Sequence, residues 1–396
     1  MGPVLYLDAC ATTPPAPEVL AAMADAHAHA WANPSSLHGP GLAAAEQLER
    51  SRLQIAELLG CRSGRVVFTS GGSESIHLAL LGVASTVPQD GEPRRLLISA
   101  VEHPATLAAA RQLQRQGWQV AEVPVDREGV VDLGALAQLL APPTRLVSVI
   151  WGQSEVGTVQ QIASIGAVCR AAGVPLHVDA VQVLGHQRLD FDALPVDLLS
   201  GAAHKLQGPR GVGLLLVAPG ITLSPVIGGG GQESGLRGGT EPVALVAGLA
   251  MALKLAADRL AEAGGTDPIA AVRDRLLEAV LELRGVELSG PDPRRDPDAR
   301  LPHHLSLLIR GASGEPLFGR ALVRELAAVG LAVSSGSACS SSGSSASPVL
   351  RAMGFDEAEA GSGLRLSLGP WLKESDLEPV PELLREAIRR LERREP

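Results

Sequence analysis

Residues 66–75 read VVFTSGGSES, a β-branched and aromatic run, then a Gly-Gly turn, then a serine placed where a helix would begin. Strand, turn and helix in that order form half of a βαβ unit. The same rhythm extends outward in both directions. Strands are expected near 66–69, 96–99, 119–123, 146–150, 176–179 and 212–217, and helices over 16–31, 41–59, 73–85, 104–116 and 161–172, several of them stopping at a glycine. Alternation of this kind predicts an α/β fold with a mainly parallel sheet covered by helices. Ligands of such sheets sit at the carboxyl ends of the strands, so the residues just after strands carry the functional interest.

Past Gly228–Gly231 the pattern changes. A long helical region is expected from 242 to 283, followed by strands at 305–309 and 364–368 with helices between and after them, and the domain change is placed within the long helix. Residues 294–300, rich in Asp, Pro and Arg, read as an exposed loop, and 334–347 is a Ser/Gly-rich stretch with Cys339 near its middle. No internal repeat is evident.

At 396 residues the chain has room for two domains and at least one large core. Hydrophobic residues make up 45% but aromatics only 2%, so the core must be built from Leu, Val, Ala and Ile. A net charge of −9, with no long basic run, argues against direct nucleic-acid binding. The N-terminus lacks a basic and apolar leader pattern, and no stretch reaches about 18 uninterrupted apolar residues, so no membrane partner and a cytoplasmic protein are expected. Cys10, Cys61, Cys169 and Cys339 are far apart and show neither a disulfide framework nor zinc-ribbon spacing. The histidine pairs at 27/29 and 303/304 lack acidic or Cys companions at ligand spacing, so no metal site is expected.

Five places could carry chemistry. Gly71-Gly72-Ser73 would aim backbone N–H groups and a hydroxyl at an anion beside a helix start, although such a turn is also ordinary capping. His177-Val178-Asp179-Ala180-Val181-Gln182 ends a buried strand on a carboxylate, which could face a pyridine nitrogen or simply close a turn. Glu102-His103-Pro104 offers an imidazole that could stack on a planar ring or shuttle a proton in catalysis, or serve structure alone. Lys205 follows a Leu-rich run and precedes a Gly/Pro-rich turn, where a half-buried neutral amine could bond an aldehyde cofactor. A lysine is usually a solvated surface residue. In a chain that keeps only Lys205, Lys254 and Lys373 among abundant arginines, each one invites a reason. Finally, the stretch around Cys339 is too small and polar to pack a core, which suits an exposed sulfur-carrying thiol, or a linker with an incidental Cys.

Taken in order, these pieces resemble the cysteine desulfurases of the NifS/IscS type, within the class V aminotransferase-like, fold-type I pyridoxal-phosphate enzymes. The resemblance runs through Tyr6-Leu7-Asp8, Ala11-Thr12-Thr13-Pro14, the 33–38 stretch NPSSLH, SGGSES at 70–75, Glu102-His103-Pro104, Glu155-Val156-Gly157-Thr158, HVDAVQ at 177–182, His204-Lys205, GGGQE at 229–233, Arg237-Gly238-Gly239-Thr240, SSGSACSS at 334–341 and RLSLG at 365–369.

That resemblance implies a large cofactor domain over 15–255, built on a mainly parallel seven-stranded-type sheet. It implies a smaller α+β domain from 1–14 and 256–396, which carries the Cys loop. It also implies pyridoxal 5'-phosphate as cofactor, with Lys205 bonded to it, Asp179 on the pyridinium, Gln182 on the phenolate oxygen and His103 stacked on the ring. Gly72, Ser73 and His204 would hold the phosphate, with Thr240 reaching in from the second subunit of a homodimer. Arg365, with Ser154 and Asn33, would receive L-cysteine, and Cys339 would take its sulfur and pass it to an acceptor protein, an iron–sulfur scaffold or a tRNA-thiolation protein. Two positions depart from the family pattern: Ser154 stands where Asn is usual and Ala202 where Ser is usual. Each removes one neutral hydrogen bond, worth about 0.5–1.5 kcal/mol. The competing readings are a selenocysteine lyase or other class V enzyme, which would not need a thiol in a Ser-rich loop, and a weakly active homologue acting as an interaction partner.

Overall fold

The computed structural model describes residues 4–88, 93–336 and 346–393. A short N-terminal strand β1 (Leu5–Tyr6) precedes seven strands that form the main sheet: β2 (Arg65–Thr69), β3 (Arg95–Ser99), β4 (Gln119–Val123), β5 (Thr144–Ile150), β6 (Leu176–Asp179), β7 (Leu198–Ala202) and β8 (Gly213–Val217). Their order is β2-β8-β7-β6-β5-β3-β4. β8 runs antiparallel to both its neighbours, and every other pairing is parallel. The apolar strand runs follow from this, since a strand covered on both faces has no polar side.

The period-2 geometry of a strand sorts those side chains between two cores. Val66, Phe68, Leu97, Val147, Val149, Leu214 and Leu216 face α1 (Pro17–His29), α2 (Gly39–Leu58), α6 (Ile162–Ala171) and α7 (Val243–Glu262). Their alternates Val67, Leu96, Ile98, Leu146, Leu215 and Val217 face α3 (Gly72–Ala84) and α4 (Pro104–Arg115). A further short helix, α5 (Leu133–Leu139), packs its buried Leu136 into the first of these cores.

The rest of the chain has its own core. An antiparallel sheet of order β12-β10-β9 joins β9 (Val286–Leu288), β10 (His304–Ile309) and β12 (Gly363–Ser367), while β11 (Leu331–Ala332) pairs in parallel with β1. Around them lie α8 (Ile269–Leu281), α9 (Gly319–Ala328), α10 (Pro348–Ala352), α11 (Glu357–Gly361), α12 (Glu374–Leu377) and α13 (Val380–Glu392). Leu276, Leu307, Leu322, Leu366 and Leu384 fill this core, joined by Leu7 from the N-terminal segment.

The expected elements are found with ends moved by at most two residues, and three readings are corrected. The helical region 242–283 is two helices, α7 and α8, separated where Gly264 and Gly265 take positive φ values of +74° and +103° that a helix cannot continue through. The Leu-rich run before Lys205 is the strand β7, which extends to Ala202. Residues 294–300 are not exposed throughout, because Arg300 is buried and its guanidinium donates to the carbonyls of Pro291, Val156 and Ser289. Burial with no carboxylate among those acceptors lowers its pKa to about 9.

Candidate active site

Lys205 lies in a single helical turn immediately after β7, with Ala202 as the last strand residue. Its Nζ donates to the carbonyls of Cys10, at 2.5 Å, and Ala11, at 2.8 Å. The Cys10 carbonyl also accepts Gln182 Nε2–H at 2.9 Å, so one peptide oxygen joins the predicted lysine to the predicted glutamine. Thr13 fixes the N-terminal segment there: its N–H and hydroxyl both donate to the His204 carbonyl, and its hydroxyl accepts the Gln207 N–H.

Asp179 ends β6, 3% exposed, and accepts the Val181 N–H at 3.0 Å. Burial raises its pKa, a shift partly offset by the charges of His103 and Lys205, so a cation brought to this carboxylate would hold it ionised. His103 caps α4, its Nδ1 accepting the Ala105 N–H at 3.1 Å. Burial is the main reason its pKa falls, with Lys205 adding to the effect and Asp179 opposing it.

A glycine helix start lies beside this group. Gly71 and Gly72 begin α3 directly after β2, and a Cβ on Gly72 would come within 2.8 Å of Val181 Cγ2 and 3.6 Å of Ala202 Cβ. The helix start therefore sits against the ends of both β6 and β7, which only glycine permits here. Ser73 is exposed in the first turn of α3. His204 Nδ1 lies 3.2 Å from Thr12 Oγ1, and burial, then Lys205 and Arg210, push its pKa down to about 4.

Arg365, on β12, is 4% exposed and projects between the two parts of the chain. Its Nη2 donates to Asp8 Oδ1 at 2.6 Å and its Nη1 to the Ser154 carbonyl at 2.9 Å, while Nε is buried without a partner among the described residues. The Ser154 carbonyl also lies 3.1 Å from His304 Nε2. Asn33 is on an exposed turn between α1 and α2, where its Oδ1 accepts the Ser35 N–H, and Thr240 is on the exposed loop before α7. Cys339 lies outside the described residues. Glu155 receives the Ser347 hydroxyl at 2.7 Å and lies 3.5 Å from the Cβ position of Gly336.

Several participants carried no assigned role in the sequence. Asp8 was visible only as part of Tyr6-Leu7-Asp8, and its pairing with Arg365 depends on a bridge to Ser367 of β12. Cys10 is buried with Sγ 3.3 Å from His303 Nε2, and the His303 ring stacks on His186 at 3.8 Å between centroids. Burial raises the Cys10 thiol pKa, although Arg365 and Lys205 oppose the shift, so this sulfur favours its protonated form. A groove of about 790 Å³ lined by Arg52, Leu53, Val66 and Glu233 includes none of the predicted site residues. Among the described residues no group of three or more His, Cys, Asp or Glu side chains could hold a metal ion. No described helix is long and apolar enough to cross a membrane.

A lysine beyond a strand end, a buried carboxylate on the next strand and a glycine helix start converge in an α/β sheet. Together they define an enzyme site suited to a phosphorylated aldehyde cofactor with a ring nitrogen. The family model for aminotransferase class-V matches residues 5–380. The IscS-like cysteine desulfurase of Mycobacterium tuberculosis is 41% identical over 394 residues, covering 98% of this chain and 97% of that protein. The cysteine desulfurase IscS of Pectobacterium carotovorum is 37% identical over 392 residues, covering 98% and 93%. A solved NifS-like protein superposes with a TM-score of 0.86 at 32% identity, covering 98% of this chain and 99% of its own. This chain belongs to the pyridoxal-phosphate-dependent class-V aminotransferase family and, within it, to the cysteine desulfurases of the IscS/NifS type.

Proposed function

We propose that this protein removes sulfur from L-cysteine, leaving L-alanine, with Lys205, Asp179, His103, Gln182, His204, Gly72, Ser73, Thr240, Arg365, Ser154, Asn33 and Cys339 as the working residues. The observation that carries this reading is the convergence of Lys205, Gln182 and the Cys10 carbonyl beside the buried Asp179. Bound there, pyridoxal phosphate supplies an electron sink for the substrate's α-carbon. Lys205 holds the cofactor and moves the proton at that carbon. Asp179 keeps the ring nitrogen protonated, and His103, neutral through burial, offers its ring as a stacking face. Gln182 can donate to a ring oxygen when its amide turns from the Cys10 carbonyl.

The α3 start, with neutral His204 beside it, would receive the phosphate, and Arg365 would receive the substrate carboxylate through a planar fork matched to two oxygens. Cys339 would attack the substrate sulfur, break the C–S bond and retain the sulfur as a persulfide for transfer to an acceptor protein. A two-domain division, 15–255 against 1–14 and 256–396, is supported by the separate core that Leu7 shares with α8, β10, β12 and α13. A homodimer is supported by the exposed apolar side chains Trp31, Leu37 and Leu53 near Asn33, and by the exposed Thr240 loop. We place the enzyme in the cytoplasm, with an iron–sulfur scaffold or a tRNA-thiolation protein as the sulfur acceptor.

The test is incubation of the purified, pyridoxal-phosphate-loaded protein with L-cysteine and a thiol reductant, with sulfide and alanine assayed together. Equal appearance of the two is the expected result. Sulfide without alanine, or neither product, overturns the assignment.

A further inference from the structure

We propose that Asp8 is an internal competitor for the substrate clamp, occupying part of the Arg365 fork until a substrate carboxylate displaces it. This rests on the reading of Arg365 as the carboxylate-binding residue. A guanidinium offers its Nε–H and one Nη2–H along one edge, spaced for the two oxygens of a carboxylate. In this structure Asp8 Oδ1 takes Nη2 at 2.6 Å, yet the Nε beside it is buried with no partner among the described residues. The edge is therefore half used. Arg365 itself is fixed from elsewhere, since Nη1 donates to the Ser154 carbonyl at 2.9 Å and its backbone pairs with Ser334 and Ser306 on either side.

The two carboxylates differ in what they can offer the fork. The Asp8 main chain is held by the bridge to Ser367, and its carbonyl accepts the Tyr6 hydroxyl and the Ala11 N–H. Anchored that way, its side chain reaches Nη2 with one oxygen. A free amino acid carries no such tether and can supply oxygens to both Nε and Nη2. The Asp8 side chain is 20% exposed against 5% for Arg365, so it can turn toward solvent when displaced while the arginine stays in place. In the absence of substrate, Asp8 keeps a buried cation paired, which avoids leaving an uncompensated charge. The consequence is that capture of L-cysteine is weaker than the clamp alone would allow.

The experiment compares the holoenzyme with Asp8→Asn and Asp8→Ser, each alone and combined with Arg365→Gln. It measures KM for L-cysteine, the inhibition constant of the product L-alanine as a carboxylate probe that has no sulfur to lose, and L-alanine binding by calorimetry. Both Asp8 variants should lower KM and the L-alanine constants by about three- to tenfold, the size of one partly exposed charged contact. The gain should vanish in the Arg365→Gln background. Weaker or unchanged binding in Asp8→Asn and Asp8→Ser, with Arg365→Gln still losing affinity, makes Asp8 a support for the arginine and overturns the competitor role. If Arg365→Gln itself leaves KM and L-alanine binding unchanged, the clamp reading fails and takes this inference with it.

Discussion

Replacing Glu102 by Gln should flatten a specific part of the pH dependence of stability. Glu102 is 4% exposed at the end of β3, where Oε1 accepts the Ser99 hydroxyl at 2.5 Å and the Ile150 N–H at 2.7 Å, and the Thr106 side chain lies against the same carboxyl group. Burial is the main cause that pushes its pKa from 4.5 up to about 8, and the nearby Asp179 carboxylate adds to it. The folded state therefore keeps a proton that the unfolded chain releases, so stability falls as pH rises between those two values and is level outside them. Each unit of pH in that window costs about 1.4 kcal/mol. Between pH 5 and 8 the parent should lose about 3 kcal/mol through this one group. Gln at 102 keeps Oε1 for both donors and carries no proton to lose. Denaturant unfolding of parent and Glu102→Gln at pH 5, 6, 7 and 8 should show the variant gaining relative stability by that amount toward pH 8. The other buried groups cancel in the difference. A constant offset across the four pH values would refute the claim that Glu102 is protonated in the folded enzyme. Functionally, a neutral Glu102 lets Asp179 be the charged carboxylate at this corner.

After borohydride reduction of the holoenzyme the cofactor should be found on the peptide containing Lys205, and on neither Lys254 nor Lys373. Lys254 is paired with Asp258 on α7, far in sequence from any strand end of the main sheet. Cys339→Ser should keep the spectral response to L-cysteine and lose sulfide release. Cys10→Ser should retain most of its turnover, since burial disfavours the Cys10 thiolate and the main-chain carbonyl that meets Lys205 survives the change; the opposite pair of results would exchange the two roles. Ser154→Asn should raise kcat/KM for L-cysteine by a few-fold, with a hundredfold as the upper bound set by about 3 kcal/mol for a bond to a charged carboxylate. A value at or below the parent with fold and cofactor content intact refutes the view that Ser154 limits capture.

Much of this protein was legible in one dimension because its determinants are local. VVFTSGGSES contains its own strand, turn and helix start, and repetition of that pattern specifies an α/β sheet before any contact is known. Lys205, Asp179 and His103 could be singled out because each lies at or a few residues beyond the end of a strand or apolar run, a position read from neighbours in sequence. What the linear chain could not show was how the ends of those strands meet residues hundreds of positions away. The reversed direction of β8 depends on pairing with β2 and β7 together. The break between α7 and α8 rests on two glycines whose positive φ is realised only where the chain must turn into a second core. Arg300 looked like part of a charged surface loop and is buried, because three carbonyls from 156, 289 and 291 converge on it. Asp8 and Arg365 are separated by 357 residues, and they meet because the N-terminal segment bridges β12. Hydrogen bonds and ion pairs act over a few ångströms, so sequence alone specifies them when the partners are near in the chain, and only tertiary packing decides them when they are not.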